Sequence, residues 1–99
     1  MAKLPMPTHP GEILREELEE RGISMNRLSR DIRVPLSRIS LIVNRKRAMT
    51  PDTALRLERY FGAEAQFWMN LQTAYDLKVA SRAFSRIKHE VIPADRSAA

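Results

Sequence analysis

The chain contains no cysteine, only 3 glycines and few aromatic side chains, 6% of its 99 residues. The missing thiols exclude a disulfide framework, a cysteine-ligated zinc or iron–sulfur site and a cysteine nucleophile. Its 2 histidines, His9 and His89, lie near opposite ends, and neither has a carboxylate at a metal-ligand spacing. Each reads as a capping or surface residue. Neither a glycine-rich phosphate loop nor a nucleophile motif is present. No catalytic residue, metal or cofactor is therefore expected. Long apolar runs are missing too: nothing approaches the roughly 18 residues of a membrane-spanning helix, and the N-terminus has no apolar stretch of signal-peptide type. The expectation is a cytoplasmic protein with no membrane association.

What is present suits a small soluble domain. With 43% hydrophobic and 29% charged residues in 99 positions, the chain folds around one core at most. The net charge of +5 is unevenly placed. Between Arg27 and Arg47 stand 7 basic residues (Arg27, Arg30, Arg33, Arg38, Arg45, Lys46, Arg47) against one acid, Asp31, so this block carries +6 and the rest −1. A concentrated basic block is the footprint of a surface that faces polyanions, although a merely solvated face has the same composition.

Start and stop signals divide the chain into helices. Pro5, Pro7 and Pro10 make the first ten residues an extended arm. Pro10 suits a first helical position, and Ile13, Leu14 and Leu18 form an apolar stripe that closes at Gly22, with Glu16, Glu17, Glu19 and Glu20 outside. Ser24 is the N-cap candidate of a short helix through Met25, Leu28 and Ile32. Pro35 forces a turn at Arg33-Val34, because the residue before a proline is pushed out of the α region. A third helix begins at Pro35 or Leu36 and buries Ile39, Ile42 and Val43. Thr50-Pro51-Asp52 opens a fourth, with Ala54, Leu57 and Phe61 inward and Gly62 as its stop. A fifth, from about Ala65 to Ala80, carries a broad apolar stripe of Phe67, Trp68, Leu71, Ala74, Tyr75 and Val79. From Ser81 to Lys88 the pattern fits a helix through Phe84 and Ile87, yet Ile87, His89 and Val91 alternate as a strand does. Residues 93–99 read as a disordered end. The organisation expected is all-α and five-helix, with a 1–80 domain and an 81–99 extension.

Two short helices joined by a tight turn, the second followed by a basic loop, describe a helix-turn-helix whose second helix enters the DNA major groove. Burial of Ile39, Ile42 and Val43 leaves Leu36, Ser37, Arg38, Ser40 and Leu41 on the outer side. Arg38 is the candidate base reader, since a guanidinium donates two hydrogen bonds to guanine O6 and N7; pairing with a glutamate of the first helix is the competing reading. Ser37 and Ser40 suit bases or phosphates, and Leu36 and Leu41 suit thymine methyls, or else a core or dimer contact. Arg45, Lys46 and Arg47 fall where a loop tracks the phosphate backbone. Ser24 and Asn26, with Arg27 beside them, can hold a phosphate at the positive end of the second helix.

Several strings together resemble the HigA-type antitoxins of the phage-repressor-like (Xre/Cro) helix-turn-helix group. They are His9-Pro10-Gly11-Glu12-Ile13-Leu14, the stretch Ile42-Val43-Asn44-Arg45-Lys46-Arg47, Thr50 to Leu57, and Phe67-Trp68-Met69-Asn70-Leu71-Gln72-Thr73-Ala74-Tyr75-Asp76-Leu77. The resemblance spans Pro7 to Lys78. It implies a homodimeric repressor that binds a palindromic operator in its own promoter and neutralises a HigB/RelE-like mRNA-cleaving toxin. It implies a dimer contact among Phe67, Trp68, Leu71 and Tyr75, shared with the core. The alternatives are a solitary regulator without a toxin partner, and an interaction module that does not bind DNA. The chain departs from the family pattern at Arg45 and Arg33, where glycine is frequent, and at Met25, where glutamine is. With arginine at 45, Asn44 is expected to take the left-handed conformation. A basic toxin is expected to meet the acidic first helix or an apolar surface rather than the Arg27–Arg47 face.

Overall fold

The sequence signals become caps. In this computed structural model the residues described are 8–95, so Pro5, Pro7 and most of the expected arm lie outside them, as do residues 96–99 of the expected disordered end. The described residues form α1 (Pro10–Arg21), α2 (Met25–Ile32), α3 (Leu36–Val43), α4 (Pro51–Phe61), α5 (Ala65–Ala80) and α6 (Phe84–Glu90), with a 3-10 turn at Ser81–Ala83 before the last. The all-α, five-helix expectation holds up to Ala80, and in the extension beyond it the helical alternative is the one formed, as α6, in place of a strand at Ile87–Val91.

Each cap satisfies backbone groups that a helix end leaves unpaired. His9 Nδ1 accepts from the Gly11 N–H at 2.9 Å, and Pro10 at the first position has no N–H to satisfy. Ser24 Oγ accepts from the Arg27 N–H at 3.0 Å, and Thr50 caps α4 through the Thr53 N–H. Gly22 and Gly62 end α1 and α4 with left-handed φ of 65° and 100°. The α2–α3 turn starts at Arg33, φ 59°, and is pinned by Ser29 Oγ, which donates to the Val34 carbonyl at 2.6 Å.

The core joins all five leading helices: Leu14 and Leu18, Leu28 and Ile32, Ile39 and Ile42, Ala54 and Leu57, and Trp68, with Val34 and Met49 from the turns. Each fully buried Leu or Ile contributes about 2 kcal/mol of transfer free energy. α3 is held from behind by α1 and α2, while α5 lies across α4 and touches α1. The α1–α3 approach is so close that a Cβ on Gly11 would stand 1.8 Å from the Ile42 carbonyl oxygen. Glycine here serves proximity rather than an unusual φ. Beyond this body the chain runs on as an arm, giving overall extents of 58 × 32 × 22 Å. Leu77, Phe84, Val91 and Ile92 are exposed along it.

Candidate nucleic-acid interface

Burial divides α3 into two sides. Ile39 and Ile42 are wholly buried and Val43 nearly so, whereas Leu36 and Leu41 are 41% and 40% exposed. Ser37 is exposed and Ser40 half-buried. Among the described residues no acidic side chain bonds Ser37 or Ser40, so this side of the rod stands open. Ser40 also braces the end of the helix, where its carbonyl accepts from Asn44 Nδ2 at 2.8 Å and its hydroxyl lies 3.4 Å from the same nitrogen.

Arg38 is placed differently from the others. Its side chain is 31% exposed, and its Nη1 lies 4.0 Å from Asp52 Oδ2, an acid of α4 rather than the α1 glutamate weighed from the sequence. Asp52 is shared, since Arg56 Nε holds the same oxygen at 2.9 Å while Arg56 Nη1 donates to the Ile32 carbonyl at 2.9 Å. The Arg38 Nε is buried and has no hydrogen-bond partner among the described residues. A buried donor left unsatisfied is uncommon, and it marks a guanidinium whose bonding is incomplete in the isolated chain.

The basic loop follows at once. Lys46 N–H bonds the Leu41 carbonyl at 2.8 Å and Arg45 N–H the Ile42 carbonyl at 2.9 Å, the paired bonds of a Schellman cap. This geometry assigns the left-handed position to Arg45, φ 61°, and leaves Asn44 at φ −91°, so the expectation for Asn44 is corrected. The residue after the cap must turn, and Val43 as the last helical residue makes that residue Arg45. Arg45 Nη1 pairs with Glu12 at 3.3 Å, and Arg15 donates to Asn44 Oδ1 at 3.2 Å. Lys46 and Arg47 are exposed, with no ion pair among the described residues.

At the other end of the motif, Ser24 and Asn26 are exposed at the start of α2, with the Ser24 oxygen engaged in its cap. Met25 is half-buried against the core. Arg27 pairs with Asp31 at 3.4 Å, and Asp31 accepts from the Tyr60 hydroxyl at 2.6 Å. That bond is the main cause holding the Asp31 carboxyl below, and the Tyr60 phenol above, its usual range.

Of the four residues expected to be shared between core and dimer contact, Trp68 falls on the core side, at 1% exposure. Phe67 is exposed and edge-on to it at 5.3 Å, Leu71 is half-buried, and Tyr75 stands edge-on to His9 at 4.9 Å. His9 is the capping residue of the two readings, and it is buried. Three contributors escaped the sequence reading: Asp52 beside Arg38, and His9 and Gln72 behind the basic loop. Gln72 carried a signal, because a polar residue four positions after Trp68 falls on the buried stripe of α5.

A capped helix, a pinned turn and a second helix with one side open and a basic loop at its end define a helix-turn-helix domain. The chain belongs to the helix-turn-helix family (HTH_3), whose model matches residues 14–68. It is 57% identical over 75 residues to virulence-associated protein I of Dichelobacter nodosus, covering 75% of this chain and 69% of that one. It is similar to an addiction module antidote protein of the HigA family from Coxiella burnetii, at 45% identity and TM-score 0.83, over 90% of this chain and 99% of that one. The Pseudomonas aeruginosa antitoxin HigA, solved with the higBA promoter, is 46% identical with TM-score 0.83, over 89% and 98% of the two chains. No helix among the described residues is long and apolar enough to cross a membrane.

Proposed function

We propose that this chain is a DNA-binding antitoxin that acts as a homodimer on an operator in its own promoter and neutralises a HigB/RelE-like mRNA-cleaving toxin. The observation that carries the DNA reading is the open side of α3, ending in a cationic loop, on a chain similar over most of its length to an antitoxin solved with promoter DNA. In this reading Arg38 discriminates bases, with Leu36, Ser37, Ser40 and Leu41 beside it. Arg45, Lys46, Arg47, Ser24 and Asn26 hold phosphates. Self-association uses the outer side of α5 and the arm beyond, where Phe67, Leu71, Leu77 and Phe84 have surface to lose. The toxin meets the acidic side of α1, because the cations of α2, α3 and the loop are committed to DNA. No catalytic step is assigned to the chain.

The deciding experiment is a gel shift on the gene's own upstream DNA with wild type, Arg38→Ala and Arg47→Ala. Arg38→Ala is expected to lose about 1–3 kcal/mol of discrimination at one base position. Arg47→Ala is expected to weaken all sequences alike and to reduce the salt slope by about 0.9 per lost phosphate contact. Unchanged binding by both variants refutes the site. Co-expression with a neighbouring small basic protein, scored by relief of growth arrest, tests the toxin partner.

A further inference from the structure

Three polar side chains are buried in the core among the described residues: His9, Thr53 and Gln72. Thr53 is accounted for by the cap it joins, its hydroxyl meeting Thr50 Oγ1 at 3.3 Å. His9 and Gln72 are not explained by the helices they sit on. From opposite ends of the domain both reach the segment 45–49. Gln72 Oε1 accepts the Met49 N–H at 2.7 Å, and its Nε2 donates to Asp76 Oδ1 at 2.9 Å. His9 accepts the Gly11 N–H on Nδ1, so the neutral ring carries its proton on Nε2, and His9 borders the same shallow cavity as Arg47. The Tyr75 ring, edge-on at 4.9 Å, fixes the plane of the imidazole.

The loop itself is lightly supported. Beneath it lies a shallow cavity of about 190 Å³, lined by His9, Gln72, Tyr75 and Asp76 together with the loop residues. Arg45 keeps a left-handed backbone that a side chain disfavours, and such a conformation persists only where the surroundings over-determine it. An apolar residue of Gln72's shape would fill the α5 position at least as well, were the Met49 N–H not waiting for a partner.

We infer that His9 and Gln72 are positioning residues that clamp the Arg45–Arg47 loop from behind, so that its cations meet the DNA backbone already arranged. The inference rests on the operator-binding reading above. A clamped loop has less conformational freedom to lose on binding, which is how rigidity becomes affinity.

The test is a salt titration of binding by fluorescence anisotropy, using the full chain, its upstream duplex and a scrambled duplex, with wild type, Gln72→Met and His9→Asn. Gln72→Met keeps length and removes both hydrogen bonds. His9→Asn keeps a capping oxygen for α1 but loses the ring that packs on Tyr75 behind the loop. Both variants are expected to bind either duplex about tenfold more weakly, and the slope of log K against log salt is expected to become shallower by about 1 or more. A residue with a merely structural role leaves that slope alone. Folded variants, judged by circular dichroism, that keep the wild-type slope and stay within about twofold in affinity overturn the clamp. If Gln72→Met does not fold, His9→Asn decides by the same criterion. A wild type that binds neither duplex refutes the operator reading itself, and the clamp with it.

Discussion

Replacing Gly11 with alanine adds one methyl group, and the structure shows where it goes. The new Cβ stands 1.8 Å from the Ile42 carbonyl oxygen, 2.8 Å from its carbon and 3.0 Å from His9 Nδ1, against ordinary contact at 3.4 Å or more. Two of the three neighbours are backbone, so no rotamer change relieves the overlap. α1 must back away from α3 by more than an ångström, which opens the contact among Leu14, Ile39 and Ile42. Overpacking typically costs about 1–3 kcal/mol, and an obstacle made of backbone belongs at the upper end. The opposing gain, alanine over glycine in a helix, is at most about 1 kcal/mol and smaller in a first turn. We expect a net loss of about 2–3 kcal/mol, read as a fall in Tm of about 8–24 °C for a domain this size. The assay is thermal and urea unfolding followed by circular dichroism, with Gly22→Ala alongside. At Gly22 nothing lies within 4 Å, so only its φ of 65° is penalised, and about 1 kcal/mol is expected. A Gly11→Ala chain within about 0.5 kcal/mol of wild type, the scatter of neutral surface changes, refutes the argument from proximity.

Arg33→Gly is expected to stabilise the chain by about 0.5–1 kcal/mol, because residue 33 holds φ 59° and glycine adopts that region without strain; a lower urea midpoint counts against it. Burial lowers the His9 pKa from 6.5, with Arg45 acting in the same direction and Glu12, Asp76 and the Arg47 backbone opposing. Since the unfolded chain takes up the proton first, stability is complete above pH 6.5 and falls as pH drops from there toward the lower folded value. Protonation also removes the Nδ1 acceptor of the α1 cap, so His9→Asn is expected to flatten that part of the pH–stability curve; an unchanged decline refutes the assignment. Phe84→Asp should reduce the dimer fraction in sedimentation while leaving helix content intact, since Phe84 is exposed and lies outside the core cluster. A fully dimeric variant removes the arm from the self-association surface.

The helix boundaries were legible because their signals are local. A serine, a threonine–proline pair and two glycines act within four residues of themselves, and each became a cap or a stop. The buried side of α3 was legible for the same reason, since its spacing leaves one choice of inward face. What failed were matters settled at a distance or by one residue of register. Asparagine tolerates the left-handed region better than arginine, yet the chain turns one residue after Asn44 because the Schellman bonds fix where the turn falls. The wide apolar stripe of α5 did not reveal that Trp68 faces inward while Phe67 faces out; that follows from how α5 lies across α4. Around α6, where nearly every side chain is exposed, no burial pattern exists to separate helix from strand. Asp52, His9 and Gln72 act on residues far from them in sequence, and spacing says nothing of such pairs.

The acids near the basic face matter here, because a surface neutralised by its own chain does not bind DNA. Glu12 holds Arg45 at 3.3 Å, Asp31 holds Arg27 at 3.4 Å, and Asp52 stands 4.0 Å from Arg38. All three acids are well exposed, and ion pairs in water are worth about 0–1 kcal/mol each. Phosphates spaced along a duplex, with the release of condensed counterions, offer each arginine more than that. On the operator-binding reading proposed above, the internal pairs are therefore weak enough to yield to DNA. In the free chain they orient the guanidinium groups. Arg38 shows the balance most clearly. Its contact with Asp52 is long, Asp52 is better held by Arg56, and its buried Nε has no partner among the described residues, so among the three arginines Arg38 is the one least committed to an acid of its own chain.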